Sequence, residues 1–308
     1  MTRPAEVVVA LDVGGTVMKC GLVSAAGELR HAERHPTNAA AGGEAVVRTI
    51  LDVAAGLAAT ARADGLTPVA AGVAVPGVVD EEQGVAVWAA NVGFRDVPLR
   101  DLVADRLGLP AALGHDVRAG GVAEARLGAG AGSRHVLFVA IGTGIAAAHV
   151  VDGRAFAGAH GAAGEVGHIM VRPEGPPCGC GARGCLEAVA SASALARRYK
   201  ELAGVPLSAA EVAAAAAGGD PIAARAWSEV VDALADGLTI AQTLFDPAVV
   251  VVGGGLAEAG EQLLAPLAAG VRARLTFQRE PALVRAALGD AAGCLGAGLL
   301  GRDVVEAT

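Results

Sequence analysis

Two stretches of this chain share one hydrophobic pattern. Val7–Leu11 is a β-branched apolar run, followed by DVGGT, and a second short apolar run occupies Cys20–Val23. After a turn at Ala26–Gly27, Glu28–Arg34 reads as a third strand, so the opening predicts an antiparallel meander. The pattern returns with Val136–Ile141 as a strand, GTG as a turn, Ile145–Val151 as a strand and Asp152–Gly153 as a hairpin turn. VVVALDVGGTVMKCGLVSAAGEL and VLFVAIGTGIAAAHVVDGRAF thus read as two copies of one unit, about 130 residues apart. A duplication predicts two similar lobes facing each other, each offering a glycine loop to one ligand; chance recurrence of glycine hairpins is the alternative.

The remaining segments alternate. Glu44–Asp64 is alanine-rich with charges at helical spacing, Val69–Val75 is a strand ending in Pro76–Gly77, and Leu99–Leu107 is a short helix. Ala111–Leu113 leads a strand into His115–Asp116. The second half is mostly helical, at Ser191–Ala203, Ser208–Ala217 and Pro221–Leu244. Ala248–Val252 is an apolar strand running into GGG, followed by a predicted helix at Ala257–Ala268. The tail, GCLGAGLLGRDVVEA, is a small-residue helix expected to cross back onto the first lobe.

Composition narrows the class. The chain has 308 residues, which suits two domains better than one. Mean hydropathy is +0.50, but the excess is mostly alanine and valine broken by 44 glycines. The longest uncharged stretch, His135–Val151, carries GTG in its middle, so it reads as two strands rather than a bilayer span. The N-terminal apolar run ends in Asp12 and a glycine turn, unlike a signal peptide, so a cytoplasmic location is expected. The net charge of −8 and an aromatic content of 3% argue against a nucleic-acid partner.

The glycine loops carry candidate chemistry. In DVGGTVMK, Asp12–Lys19, a carboxylate at a strand end precedes Gly14, Gly15 and Thr16. Glycines let backbone N–H groups approach phosphate oxygens, the Thr hydroxyl adds a donor, and the Asp can hold Mg²⁺ through water. GxxxxGK[ST] is absent, so this is no P-loop. A lone GG turn is equally a plain hairpin, but Gly142–Gly144 offers a second loop to the same polyphosphate. Gly253–Gly255, between a strand and a helix, suits a nucleoside or simply tight packing.

Three of the five cysteines fall in CGCGARGCLE. With His168 they give H-x9-C-x-C-x4-C, and His168, Cys178, Cys180 and Cys185 would satisfy a tetrahedral, structural Zn²⁺. A redox pair would be spaced CxxC. Cys20 and Cys294 read as buried thiols. Glu165, three residues before His168, and Glu187, two after Cys185, would be fixed by the same loop. Two carboxylates and an imidazole suit a hydroxyl-rich ligand, or the glutamates are ordinary surface residues.

The ordered set DVGGT, VPG, NVGFRDVPL, the Asp116 segment, IGTG, GEVGH, CGCGARGCLE and VVVGGG resembles the ROK family (repressors, open reading frames and sugar kinases) nearly end to end. The resemblance implies an α/β, two-lobed actin-like ATPase (ribonuclease H-like) fold with a central cleft. It implies a small lobe over 1–117, rejoined by the helix 294–308, and a large lobe over 118–293. It further implies transfer of the ATP γ-phosphate to a hexose, usually at C6 of glucose, with homo-oligomeric assembly. By motif, Asp116 resembles the general base; Glu165, His168 and Glu187 the sugar ligands, His168 also binding zinc; and Gly77, Asn91 and position 115 further sugar contacts. Asp12, Gly14, Gly15, Thr16 and Lys19 resemble the first phosphate loop, Gly142, Thr143 and Gly144 the second, and Gly254 and Gly255 the nucleoside side.

One departure concerns the sugar. Family kinases commonly read Glu-Asn-Asp-Ala-Asn around the base, whereas this chain reads GHDVR, with His115 in place of Asn and Arg118 in place of the later Asn. The expected function is therefore an ATP- and Mg²⁺-dependent glucokinase with structural Zn²⁺. A kinase for an N-acetylhexosamine or mannose, and a non-catalytic sugar sensor, are the alternatives. ROK repressors carry an N-terminal helix-turn-helix domain, for which a first strand beginning by residue 7 is expected to leave no room.

Overall fold

The opening meander forms as its pattern predicts. In the computed structural model, which describes residues 5–307, β1 (Glu6–Val13), β2 (Val17–Ser24) and β3 (Leu29–Pro36) pair antiparallel, with Leu11 opposite Cys20 and Asp12 opposite Lys19. Met1–Pro4 of the expected first lobe and Thr308 of the expected tail helix lie outside the described residues. The chain divides into two units. One runs to Ala123 and adds Ala155–Ala163 and the segment from Asp290; the other comprises Glu124–Arg154 and Gly164–Gly289.

In the first unit, α1 (Gly43–Ala63) buries Val46, Ile50, Val53, Leu57 and Ala61, an apolar stripe at helical spacing that covers the sheet. β4 (Thr67–Val75) then returns parallel to β1. Three short strands follow, β5 (Val78–Asp80), β6 (Val85–Ala89) and β7 (Phe94–Val97), forming a separate small sheet. They escape sequence reading because runs of three to five residues are too short to show a period. After α2 (Leu99–Leu107), β8 (Ala111–His115) pairs parallel with β4 and passes directly into α3 (Asp116–Arg126).

The second unit repeats the plan. β9 (His135–Ile141) and β10 (Ile145–Val151) pair antiparallel, and Asp152 and Gly153, with φ of 50° and 73°, make the predicted turn before β11 (Arg154–Ala155). Helices α4 (Leu186–Ala190), α5 (Ala192–Ala203), α6 (Ala209–Ala217) and α7 (Pro221–Phe245) follow. Their starts are legible because polar side chains cap them: Ser191 for α5, a Ser208–Glu211 capping box for α6, and Asp220 ahead of Pro221 for α7. β12 (Val249–Gly253) lies parallel between β9 and the later β13 (Ala282–Arg285). The helix expected at Ala257–Ala268 is two pieces, a 3₁₀ turn at Gly255–Ala259 and then α8 (Glu261–Arg272). Gly260 separates them with φ 57° and ψ −130°, a conformation open to glycine alone. Leu137, Val139, Ile141, Val250 and Val252 of the sheet pack with Leu186, Leu195, Trp227, Leu234 and Leu267 of the helices.

The tail forms α9 (Ala292–Glu306), which packs on β1 and β4 of the first unit. Its small residues permit backbone approach: the Ala297 carbonyl sits against Gly72, where any side chain would collide. The two five-stranded sheets, β3-β2-β1-β4-β8 and β11-β10-β9-β12-β13, share one strand order. The repeat in the sequence is a repeat of topology. Among the described residues, no helix is long and apolar enough to cross a membrane.

Candidate active site

Asp116 stands where β8 ends and α3 begins. The Val117 N–H donates to its Oδ1 at 2.7 Å, and His115 Nδ1 lies 3.4 Å from the same oxygen. The Val117 N–H holds the carboxylate, and 30% of the side chain is exposed. Behind it, Arg118 is buried and donates through Nε to Glu81 Oε1 (2.8 Å) and through Nη1 to the Gly161 carbonyl (2.8 Å). The sequence marks Arg118 only as a motif departure and gives no signal for Glu81.

Asp12 is the next-to-last residue of β1, opposite Lys19. Burial, and next the negative charge of Asp116, push its carboxyl up to about 6, against the pull of Lys19. The glycine loop after it is pinned by buried Thr37, whose hydroxyl donates to the Gly14 carbonyl at 2.7 Å and whose N–H donates to the Thr16 carbonyl at 2.9 Å. A side chain at Gly15 would come within 3.3 Å of Asn91 Nδ2, so the structure brings Asn91 to this loop. Gly77, with φ 92°, turns the chain from β4 into β5. Lys19 Nζ meets Asp290 Oδ1 at 2.7 Å, while Arg34 meets Oδ2 at 2.5 Å. The lysine hydrogen bond holds the Asp290 carboxyl below its usual range.

In the second unit the Gly142–Gly144 loop closes on itself, Gly142 N–H donating to the Gly144 carbonyl at 2.9 Å, with Thr143 exposed. Glu187, from the first turn of α4, accepts the Ile145 N–H on Oε2 at 3.0 Å. That oxygen lies against Gly144, so a larger residue there would strike the carboxylate. Because β12 runs parallel to β9 with Gly253 opposite Ala140, Gly142 and Gly254 leave the same end of the sheet. Gly254, with φ 82°, sits against the Ile141 backbone, while Gly255 faces open space.

The expected metal donors converge. One ligand atom each from His168, Cys178, Cys180 and Cys185 all lie within 4.8 Å of one another, so one ion could touch all four. Cys178 Sγ is 3.6 Å from His168 Nδ1, and Cys180 Sγ is 3.7 Å from Cys185 Sγ. Burial, then the neighbouring thiols, push the Cys185 thiol up to about 12, a cost that a bound cation would remove. Glu165 precedes a 3₁₀ turn, Val166–His168, and its Oε2 lies 3.7 Å from His168 Nε2. The two ring nitrogens thus face different partners. Gly167 packs on the Glu187 side chain, linking the metal cluster to the Gly144 loop.

The chain has known relatives. The pattern of the ROK family matches residues 8–304. The glucokinase of Thermotoga maritima is 36% identical over 283 residues, covering 86% of this chain and 86% of that protein. The crystal structure of a ROK hexokinase from Thermus thermophilus superposes with a TM-score of 0.87 at 35% identity, covering 98% of this chain and 100% of that one. A ROK family glucokinase from Streptomyces griseus, solved with glucose and AMPPNP, gives a TM-score of 0.82 at 32% identity, covering 96% and 99%. The fold is that of the actin-like ATPases.

Proposed function

This chain belongs to the ROK family, and we propose that it is an ATP-dependent hexose kinase whose substrate is glucose. The observation that carries the reading is Asp116, a partly exposed carboxylate fixed at a strand–helix junction, in a chain that aligns over most of its length with a glucokinase. Asp116 takes the proton of the sugar 6-hydroxyl as that oxygen bonds the γ-phosphorus. The bond to the β,γ-bridging oxygen breaks, and ADP leaves with the electron pair. Glu165, Glu187 and Asn91 hold sugar hydroxyls, with Gly77 and His115 shaping the pocket. Gly14, Gly15, Thr16 and Lys19, with Gly142, Thr143 and Gly144, cradle the phosphates, and Gly254 and Gly255 lie along the nucleoside.

Asp12 would hold Mg²⁺, which supplies charge neutralisation of the phosphates when bound. A carboxyl raised to about 6 by burial and a neighbouring acid is a position that a cation would relieve, which supports the fit. The thiol cluster fits zinc. With Zn–S near 2.3 Å and Zn–N of 2.0–2.1 Å, a tetrahedron has S···S edges of about 3.8 Å and S···N edges of about 3.6 Å. The distances of 3.7 and 3.6 Å match both edges. His168 Nδ1 would bind the ion, leaving Nε2 for Glu165 or a sugar hydroxyl. A cytoplasmic location, where ATP and reduced thiols coexist, suits this chemistry.

His115 favours a second reading, a kinase for mannose or an N-acetylhexosamine, because an imidazole replaces an amide beside the base. One assay tests both: coupled ADP release with ATP, Mg²⁺ and a panel of glucose, mannose, N-acetylglucosamine and N-acetylmannosamine. Glucose is expected to give the highest kcat/KM. Turnover of none of these sugars would overturn the kinase reading.

A further inference from the structure

A general base works only if its carboxylate is held where the substrate hydroxyl arrives, and Asp116 sits at a strand–helix junction where it accepts the N–H of the adjacent Val117. Its neighbours are held from farther along the chain. The Glu81 Oε1 that receives Arg118 Nε at 2.8 Å also accepts the backbone N–H of His115 at 3.2 Å. One carboxylate oxygen therefore grips the chain on both sides of Asp116. Arg118 extends that grip through Nη1 to the Gly161 carbonyl.

The pair is poorly built for stability alone. Arg118 has 3% of its side chain exposed against 31% for Glu81, and the buried Nη2 makes no hydrogen bond. Buried charges of this kind are commonly replaceable by apolar groups without loss of stability. What the pair does supply is direction, because a planar guanidinium with two arms occupied fixes both of its partners. We infer that Glu81 and Arg118 are positioning residues for Asp116, setting the angle of the base without touching substrate. The inference rests on the hexose kinase reading of Asp116.

The test is the double variant Glu81→Met/Arg118→Met, which replaces the pair with apolar groups of similar reach. The melting temperature is expected a few degrees below that of wild type, because the His115 N–H and the Gly161 carbonyl lose these partners. At an assay temperature where the variant is folded, KM for glucose and for ATP should stay within about threefold and kcat fall by about 10- to 100-fold, the scale of a 1 Å misplacement. A purely structural pair would let kcat follow folding, so a double variant that melts and turns over like wild type overturns the inference. So does a rise in KM with kcat kept. If the double variant does not fold, Arg118→Lys decides, since it keeps a cation beside Glu81 but lacks the second arm for Gly161. Reduced kcat at constant KM supports positioning, and unchanged kcat overturns it. Wild-type protein inactive on every hexose would remove the kinase reading itself; active wild type with unaffected variants removes only the positioning role.

Discussion

The two units share a strand order but obtain their carboxylates differently. In the first, Asp12 belongs to β1 itself and sits two residues before the first loop glycine, so local strand geometry delivers the charge. In the second, the matching strand ends in buried apolar Ile141, and the loop receives Glu187 from a residue 42 positions beyond Ile145. Glu187 lies in α4, directly after the cluster residue Cys185 that precedes the helix. The lesson is that one scaffold can place a charge by local backbone or by a distant element, and only the distant element needs a staple. With the proposed zinc bound, the cluster of His168, Cys178, Cys180 and Cys185 would be that staple. Each unit should therefore fail in its own way.

The largest effect is expected from the proposed base of the first unit. Asp116→Asn should retain glucose binding, measured by calorimetry, while kcat falls by roughly 10²–10⁴-fold. Near-normal turnover would remove Asp116 from the mechanism. Next comes the staple: metal analysis should find about one zinc per chain. Cys180→Ala should lose it, with glucose phosphorylation falling by about 10- to 100-fold and ATP binding partly kept. Full activity without zinc would erase the proposed contrast between the units.

A third experiment isolates the cost of the built-in acid. Asp12 has a folded-state value of about 6, above its ordinary 3.8, so its burial opposes folding at pH 7 and above. That penalty shrinks as pH falls through 6 and is gone below the unfolded value. Asp12→Asn should thus stabilise the ligand-free protein by up to about 3 kcal/mol at pH 8, with little gain at pH 4, while abolishing Mg²⁺-dependent turnover. Equal melting of variant and wild type at pH 8 would contradict the burial argument. Fourth, Gly144→Ala should displace Glu187 and cost about 1–3 kcal/mol of stability, whereas Gly142→Ala, which meets nothing within 4 Å, should cost under about 0.5 kcal/mol. Urea unfolding of the two variants reads the difference. The smallest change is expected from His115→Asn, which should reorder glucose, mannose and N-acetylated sugars by a few-fold in kcat/KM, on the order of one altered contact.

How far could the sequence see? It marked the strands flanking both glycine loops, because β-branched runs bounded by glycine report burial locally. It marked the starts of α5, α6 and α7, because a cap is a contact between residues two or three apart. It also marked the four side chains that converge as candidate metal donors, which span only His168 to Cys185. Three things stayed hidden. The small sheet of β5, β6 and β7 has strands too short for a period. The Glu81–Arg118 pair joins residues 37 apart with no pattern between them. Glu124, fully buried in α3, accepts the N–H groups of Ala129, Ala287 and Leu288, two of them more than 160 residues away.

The division has one physical cause. Side-chain periodicity, turn chemistry and caps are settled by neighbours along the chain, so the sequence by itself determined the repeated strand–loop–strand units, the helix starts and the candidate metal donors. The energy of a charge depends on what surrounds it after folding: how much water is lost, and which distant group arrives. The raised Asp12, the tethered Lys19, the Glu187 carboxylate on Gly144 and the grip of Glu81 on the Asp116 junction are all of that kind. Only the tertiary structure could decide them, since desolvation and long-range pairing exist only once the chain has packed.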